Sequence, residues 1–284
     1  MIGTTDLVDV WIALEYDVDW QAKALADNAL GAAVNTWLKD SLRALFQAGR
    51  KPRALFIRQP DRTDGPAIRL LMGVMDDRGP RLRTYTLDNY AALNDIDLVS
   101  DLAHRPSDNQ PCEPHYLVCT NAQRDQCCGR YGLPLYLALR DQLGDRVWQS
   151  THLGGHRFAP NVLSLPDMAL YGRVEAGAVS RFVEYCEAGG TPGRWLRGRS
   201  AYPYHVQAAE ALLGDTRQRA SLRQQRLLGP EAWEVVFQVA EDEHCIRLRL
   251  GAPIEVQASC ADPNTKLVRP FEAFEAGPDT KLTE

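Results

Sequence analysis

Residues 116–156 read YLVCTNAQRDQCCGRYGLPLYLALRDQLGDRVWQSTHLGGH, and this stretch decides the fold of the chain. Apolar runs at Tyr116–Val118 and Val147–Ser150 predict two short strands, and the pattern of Leu133–Leu143 predicts a helix between them. Strands joined by a helical connection of this length are parallel, with a right-handed crossover. The sequence therefore predicts a parallel α/β unit over residues 116–150.

Cysteine and histidine form two short blocks where these predicted strands end. Cys119, Cys127 and Cys128 follow the first strand in a C-x7-C-C pattern, and His152 and His156 follow the second as H-x3-H. Thiolates and imidazoles are the ligands that zinc and iron–sulfur clusters select. The carboxyl ends of parallel strands meet at one edge of a sheet, with neighbouring strands about 4.8 Å apart. We therefore expect the two blocks to meet in a metal site.

Two glycines, Gly154 and Gly155, separate the histidines. Each glycine costs a helix about 1 kcal/mol relative to alanine, so the histidines are expected on a tight loop and not on a helix. A backbone without Cβ atoms can approach a ligand closely. The two glycine amides are therefore candidates to donate hydrogen bonds to ligand sulfurs, although glycines also serve in plain turns.

The bulk composition narrows the class of protein. The chain has 284 residues, a net charge of −5 and 45% hydrophobic residues, which gives no reason to expect nucleic acid or membrane binding. It has no apolar run near 18 residues, and its first residues lack the basic start of a signal peptide. The seven cysteines are an odd number, so reduced thiols are expected and not a disulfide framework. These features predict a cytoplasmic protein.

The chain is expected to have two parts of similar element order. We predict an N-terminal α/β domain over residues 1–108, with a packing or partner-recognition role, and a second domain over 109–284. The proline-containing segment His104–Pro114 is the predicted linker. In the first part the predicted strands are Val8–Tyr16, Arg53–Arg58, Ile68–Met75 and Arg81–Leu87, with helices over Trp20–Ala48 and Leu93–Leu102. In the second part further strands are predicted at Val162–Leu165, Leu170–Val174, Glu234–Val239, Cys245–Leu250 and Ile254–Ser259, with helices over Val179–Ala188 and Ala201–Leu213.

With these residues in view, the chain resembles the sucrase/ferredoxin-like family. The motifs that carry the resemblance are Leu117-Val-Cys119, Arg124-Asp-Gln-Cys127-Cys128-Gly129, His152-Leu-Gly-Gly-His156-Arg-Phe-Ala-Pro-Asn161, Leu165-Pro-Asp, Tyr171-Gly-Arg173, Arg197-Gly-Arg-Ser200 and Gln207-Ala-Ala-Glu210. The resemblance implies an α/β fold: a thioredoxin-like ferredoxin domain, preceded by the smaller α/β half and followed by a C-terminal helix and strands.

The resemblance also implies a 2Fe–2S cluster held by Cys119 and Cys128 through sulfur and by His152 and His156 through nitrogen. The second cysteine of the family motif precedes a glycine, which matches Cys128, so Cys127 is the less favoured ligand. Histidine ligation raises the potential above that of plant-type ferredoxins. Added negative charge also favours protonation of the second imidazole nitrogen. The implied function is a one-electron carrier whose reduction is coupled to protonation, and not an enzyme by itself.

Other interpretations remain open from the residues alone. A zinc site could use the same four ligands, although the spacing departs from that of zinc fingers. A thiol–disulfide oxidoreductase on a thioredoxin-like scaffold is a second alternative, although it would need C-x-x-C spacing. A binding module without redox function is a third. For the electron carrier, arginines beside the ligands, among them Arg124 and Arg157, predict a docking face for an acidic redox partner.

Overall fold

The computed structural model describes residues 1–62, 65, 67–77, 79–103, 113–257, 259 and 264–275. Its helices are α1 (Ala32–Gln47), α2 (Leu98–Ala103), α3 (Gln126–Leu143), α4 (Val179–Glu187) and α5 (Tyr204–Leu212). Its strands are β1 (Val10–Glu15), β2 (Pro52–Arg58), β3 (Ile68–Asp76), β4 (Gly79–Leu87), β5 (His115–Cys119), β6 (Val147–Ser150), β7 (Asn161–Leu165), β8 (Ala169–Gly172), β9 (Leu196–Arg199), β10 (Ser221–Gly229), β11 (Ala232–Val239), β12 (Asp242–Leu250), β13 (Ile254–Gln257), β14 (Thr265–Val268) and β15 (Phe271–Ala273). Short 3-10 turns lie at Tyr90–Asp95, Gly144–Arg146, His156–Phe158, Ala176–Ala178 and Gly193–Trp195.

A nine-stranded mixed sheet in the order β4-β3-β1-β2-β6-β5-β7-β8-β9 forms the centre of this α/β fold. In the first half β1 and β2 are parallel, and β3 lies antiparallel on the other side of β1. In the second half β5 and β6 are parallel, and β7 lies antiparallel on the other side of β5. The two halves meet where β2 pairs antiparallel with β6. The similar element order of the two parts is therefore also a similar strand order, while the domain boundary at residue 108 stays a prediction.

The parallel unit that positions the candidate ligands is confirmed. Strands β5 and β6 run side by side, with Cys119 opposite Ser150 in the register. Cys119 is the last residue of its strand, and His152 follows the end of the neighbouring strand by two residues. Both blocks therefore start from the same edge of the sheet.

The predicted bounds of three helices were wrong. The helix expected at Leu93–Leu102 begins only at Leu98, after the 3-10 turn Tyr90–Asp95. The helix expected from Trp20 begins only at Ala32, because Trp20 and Ala24 are buried in the core from an irregular segment and not from a helix. The helix expected from Leu133 begins at Gln126 and includes Pro134. Glycine and proline concealed its first two turns from a propensity argument, and tertiary packing overrides propensity there.

Other differences involve strands with few apolar residues. No strand was predicted at β9, whose two arginines are buried, or at β10, an exposed strand rich in arginine and glutamine. Strand β10 belongs to a separate four-stranded sheet, β10-β11-β12-β15, and β13 pairs with β14. Most of the predicted linker and the end of the chain lie outside the described residues. Among those that are described, no helix is long and apolar enough to cross a membrane.

Candidate metal centre

The first candidate ligand, Cys119, closes strand β5 in the interior of the molecule. Its side chain is 1% exposed and packs in an apolar cluster with Leu117, Trp148 and Leu153. The same cluster includes residues of β1, β2 and β3, so both halves of the sheet cover this sulfur. Cys119 therefore lies in surroundings of low polarity, shielded from water.

Cys128 lies in the first turn of α3, which is fixed by its N-terminal cap. Asp125 accepts a hydrogen bond of 2.9 Å from the backbone N–H of Cys127 through one carboxylate oxygen. Its other oxygen accepts a hydrogen bond of 2.6 Å from the Ser259 hydroxyl. A side-chain acceptor at this position satisfies a free helix amide and sets where the helix starts. The cap thus places Cys128, which is fully buried, next to the end of β5.

Two glycines allow α3 to lie against the end of β5. A Cβ at Gly132 would stand 2.0 Å from the carbonyl oxygen of Cys119, and a Cβ at Gly129 would stand 2.5 Å from the Cβ of Ala122. Contacts that short are impossible, so any other residue would force the helix away from the strand. The spacing Gly129-x-x-Gly132 is the sequence signal for this close packing, and it brings Cys128 to Cys119.

His152 completes a compact group with the two cysteines. Its Nδ1 lies 3.9 Å from the sulfur of Cys119 and 3.8 Å from the sulfur of Cys128. The three ligand atoms all lie within 4.8 Å of one another. Free thiols and an imidazole at this separation offer the donor atoms that iron and zinc prefer.

The fourth predicted ligand, His156, lies beside this group and outside it. Its ring stacks on that of His152, with the centroids 5.3 Å apart and the planes 30° apart. Its Nδ1 is buried and has no hydrogen-bond partner. A buried nitrogen without a partner costs free energy, so this atom is suited to a ligand that the protein itself does not supply.

The two sulfurs titrate as a pair. The hydrogen bond from Cys128, aided by the His152 ring and the Leu153 amide, holds the pKa of Cys119 well below its usual value despite burial. The hydrogen bond to Cys119, together with burial, raises the pKa of Cys128. The geometry therefore favours one thiolate beside one thiol, and a bound cation would favour the thiolate form of both.

A buried arginine, Arg197, holds the loop between the histidines. Its Nη1 donates to the carbonyl oxygen of Gly154 at 3.0 Å and to Oδ1 of Asn161 at 2.9 Å. Its Nη2 donates to the carbonyl oxygen of Thr4 at 2.9 Å. Gly154 and Gly155 both have positive φ, and a Cβ at Gly155 would stand 2.3 Å from Nη2 of Arg197. The loop is therefore shaped to pack on this guanidinium.

The role of Arg197 was not predicted from the sequence, although it lies in one of the family motifs. An arginine that is 2% exposed and forms no ion pair with a carboxylate of the described residues cannot be distinguished by sequence from a surface arginine. The amide on the Cys119 sulfur belongs to Leu153. The predicted amide donors, Gly154 and Gly155, accept through their carbonyl groups, from Arg197 and Asn161 respectively. Their amide-to-sulfur role stays a prediction.

The N-terminal half also contacts the histidine loop. Arg53 on β2 donates to the carbonyl oxygen of His152 at 3.2 Å and pairs with Asp6 at 2.8 Å. Thr151, next to His152, accepts from the backbone N–H of Phe56 at 3.0 Å. Strand β2, through which the first half of the sheet pairs with the second, thus forms one wall of the site.

The other predicted site residues lie around this group. Cys127, the alternative ligand, is disulfide-bonded, so the expectation that all the cysteines are reduced was wrong at this position. Neighbouring residues on a helix point about 100° apart, and Cys128 occupies the direction of the site. Arg124 is exposed beside the cysteine block, and Arg157 is half-buried next to His156.

Comparison with known proteins gives a family and two distant structures. No curated protein matches the chain. A thioredoxin-like [2Fe-2S] ferredoxin from Aquifex aeolicus is 19% identical, with a TM-score of 0.28 over 32% of this chain and 94% of that chain. A serine variant of that ferredoxin is 20% identical, with a TM-score of 0.26 over 30% and 97% of the two chains. The model of the sucrase/ferredoxin-like family matches residues 1–198, which include the whole nine-stranded sheet but for its last residue. The chain therefore belongs to the sucrase/ferredoxin-like family.

Proposed function

We propose that this protein is a one-electron carrier with a 2Fe–2S cluster, bound by the sulfurs of Cys119 and Cys128 and by ring nitrogens of His152 and His156. The observation that carries the proposal is the group of two buried free thiols and one imidazole within 4.8 Å. The second imidazole, stacked beside them with a buried nitrogen that lacks a partner, supports a fourth ligand from His156. When bound, the cluster supplies a site for a single electron.

The ligand set determines the charge of such a site. Two ferric ions, two sulfides, two thiolates and two neutral imidazoles sum to zero, and one electron makes the site singly negative. With four thiolates the site would start doubly negative and resist an added electron. The potential should therefore lie above that of plant-type ferredoxins, as it does in Rieske centres.

The histidine side is the side from which a proton can arrive. Both cysteines are buried, whereas His152 and His156 are each half-buried. An electron added to the site favours uptake of a proton on a ring nitrogen that does not bind metal. Reduction should therefore be accompanied by protonation at the histidine edge.

A redox partner with an acidic surface would dock near the ligands. Arg124 and Arg130 are exposed on the cysteine side, and Arg173 is exposed and Arg157 half-buried on the histidine side. Complementary charge raises the rate at which partners meet and orients them. We place this exchange in the cytosol, where free thiols at positions 119 and 128 stay reduced until they bind metal.

The test is a metal analysis of freshly purified protein. We expect about two iron ions and two acid-labile sulfides per chain, with a brown colour from sulfur-to-iron charge transfer. Colourless protein with one zinc and no sulfide would rule the electron carrier out, because zinc has no redox chemistry.

The second candidate function is that of a zinc-binding protein, and the compactness of the group favours it. A tetrahedral zinc ion with its usual bond lengths keeps its ligand atoms about 3.3–3.8 Å apart. The distances of 3.8 and 3.9 Å from His152 to the two sulfurs are close to that range. The metal analysis separates the two candidates in one measurement.

Thiol–disulfide exchange has less support. An exchange enzyme must present a reactive sulfur to another protein. Cys119 and Cys128 are 1% and 0% exposed and are separated by eight residues, not two. The low pKa of Cys119 is therefore better explained by preparation for a metal ion than by attack on a substrate disulfide.

A further inference from the structure

A cavity of about 500 Å³ lies beside the histidine block and has no role in the proposed electron transfer. It is bounded by the first four residues of the chain, by Arg157 and Phe158 after the second histidine, and by Arg173. Residues of strands β13 to β15, with Ser259, Arg269 and Pro270, form the rest of its lining. Its size is within the range of about 300–1,000 Å³ that is usual for small-molecule sites.

Two arginines give this cavity an uncompensated positive charge. Arg157 and Arg173 form no ion pair with any described residue, and Nη1 of Arg157 is buried without a hydrogen-bond partner. A third arginine of the lining, Arg269, is paired with Glu231. None of the described residues that line the cavity is acidic. Burying an unpaired guanidinium nitrogen is costly, and a bound anion removes that cost.

The backbone fixes where these two charges stand. Arg173 has φ of +60°, a conformation that non-glycine residues rarely adopt. Its amide donates to the carbonyl oxygens of Phe158 and Pro160 at 2.8 and 2.9 Å, which holds it there. The guanidinium carbons of Arg157 and Arg173 lie 4.5 and 5.7 Å from the centre of the Phe158 ring. The two cations are thus gathered at one aromatic ring. Burial and the charge of Arg173 lower the pKa of Arg157, as expected for neighbouring like charges.

The remaining walls are largely apolar. Ile254, Val256 and Val268 belong to the β13–β14 hairpin, and Phe271 opens β15. A free inorganic anion would leave such walls in contact with water. A ligand with an apolar or aromatic body would cover them and direct its charged group to the arginines.

We propose that this cavity is a binding site for a small organic anion, with a carboxylate, sulfonate or phosphate group held by Arg157 and Arg173 and an apolar body against the β13–β14 hairpin and Phe271. The proposal does not depend on the identity of the metal at the cysteines. It would hold for an iron–sulfur protein and for a zinc protein alike.

The test is calorimetric titration of the whole purified chain at low salt, with naphthalene-1-sulfonate as the probe. We expect saturable binding at one site per chain. Naphthalene-1-sulfonamide, which is neutral and has the same rings, should bind at least tenfold more weakly. Inorganic phosphate should compete with the sulfonate at the same site, with a Kd at least tenfold higher than that of the sulfonate.

The matched variants are Arg157→Gln, Arg173→Gln and, as a control, Arg223→Gln, an exposed arginine on β10 whose change alters the net charge equally. We expect each of the first two to weaken sulfonate binding at least tenfold and the control to leave it unchanged. Thermal unfolding of each variant shows whether it is folded. Absence of saturable binding up to about 10 mM, or equal affinity of wild-type protein for the sulfonate and the sulfonamide, would overturn the proposal even if a variant failed to fold. If inorganic phosphate bound as tightly as the sulfonate, the proposed contact between an apolar ligand body and the β13–β14 hairpin would be overturned.

Discussion

The two halves of the central sheet have the same strand order, and among the described residues only the second half gathers cysteine and histidine side chains that could hold a metal ion. Each half has two parallel strands joined by a helix. A third strand lies antiparallel on the other side of the first parallel strand. In the second half the first strand ends in Cys119, and in the first half the corresponding strand ends in Glu15. The architecture is shared, so it cannot by itself account for the site.

The difference is the connection from the first strand to its helix. Six residues, 120–125, join β5 to α3, whereas sixteen residues, 16–31, join β1 to α1. The longer connection buries Tyr16, Trp20 and Ala24 in the core. The shorter one, together with the glycines of α3, brings the first turn of the helix to the end of the strand. A short connection and two missing Cβ atoms thus create the place for a second sulfur.

Glu15 shows how the first half uses the equivalent position. Its carboxylate accepts from Arg62 at 2.7 Å and from the backbone N–H of Arg69 at 2.8 Å. The strand end therefore carries a buried ion pair where the second half has the candidate ligand Cys119. The same topological position can hold either, depending on the side chains that the neighbouring loops supply.

The largest effect is expected from Cys128→Ser. A serine hydroxyl is a poor ligand for iron or zinc, so bound metal should fall to a small fraction of the wild-type amount per chain. Cys186→Ser is the matched control, since Cys186 is also a buried free thiol but lies on α4. Metal analysis and the absorption spectrum measure the change. Full metal content in Cys128→Ser would show that the sulfur on α3 is not a ligand.

His156→Ala tests the ligand that the structure leaves outside the compact group. We expect this variant to lose the cluster, because the variant lacks the imidazole that we propose as the fourth ligand. The buried Nδ1 of His156 has no hydrogen-bond partner in the protein, which leaves it available to a metal. Retention of iron and sulfide in this variant would exclude His156 from the ligand set.

Gly132→Ala tests whether helix packing distinguishes the halves. The added Cβ would stand 2.0 Å from the carbonyl oxygen of Cys119, so α3 must move. We expect the free energy of unfolding to fall by about 1–3 kcal/mol, the usual cost of overpacking, and metal binding to weaken. Gly31→Ala at the start of α1, where the Cβ meets nothing within 4 Å, should cost less than about 1 kcal/mol. Denaturant unfolding measures both, and equal effects would refute the packing argument.

Arg197→Gln tests the support of the histidine loop. The shorter side chain leaves buried carbonyl groups without their donor, so we expect a loss of about 1–3 kcal/mol in unfolding free energy. Burial lowers the pKa of Arg197 to about 10, so it is charged at neutral pH, and its removal should also lower the reduction potential. Arg194→Gln, at an exposed arginine of the same segment, should change stability by less than about 1 kcal/mol and leave the potential unaltered. A potential that is the same in both variants would leave Arg197 a purely structural role.

Histidine ligation predicts a potential that depends on pH. The potential should fall as pH rises, by up to ~59 mV per unit, if one proton accompanies each electron. His156→Cys, which replaces an imidazole with a thiolate, should reduce this slope. Electrochemical titration from pH 6 to 10 measures it, and a constant potential in the wild-type protein would refute proton coupling.

The smallest effect is expected from Glu15→Gln. Burial raises the pKa of Glu15 above 4.5, so the folded protein retains this proton to higher pH than the unfolded chain. Its contribution to stability is therefore present at low pH and is lost as pH rises through the raised pKa. The stability of the wild-type protein relative to Glu15→Gln should fall as pH rises above the usual carboxyl range.

For Glu234→Gln we expect the opposite dependence of stability on pH. The guanidinium of Arg226, together with Arg247, lowers the pKa of Glu234 to about 2. Its contribution is present above the usual pKa and is lost as pH falls toward 2, so this variant should approach wild-type stability in acid. Parallel pH profiles for the two variants would contradict both assignments.

Much of the fold could be predicted because hydrophobic periodicity reports burial directly. The parallel pair β5 and β6 and the placement of both ligand blocks at its edge followed from the alternation of apolar runs with a helical stretch. The start of α3 could not be predicted, since its first two turns contain glycines whose effect depends on the strand beside them. The strand at β9 could not be predicted from the sequence, because its two buried arginines have partners distant in sequence.

The sequence by itself determined the candidate ligand types, their spacing and the edge of the sheet from which they start, because these depend on local pattern and on the geometry of parallel strands. Only the tertiary structure decided that Cys128 and not Cys127 lies by Cys119, that Arg197 shapes the histidine loop, and that His156 stands beside the compact group. These outcomes depend on distances between segments far apart in the chain, and a local pattern does not contain such distances.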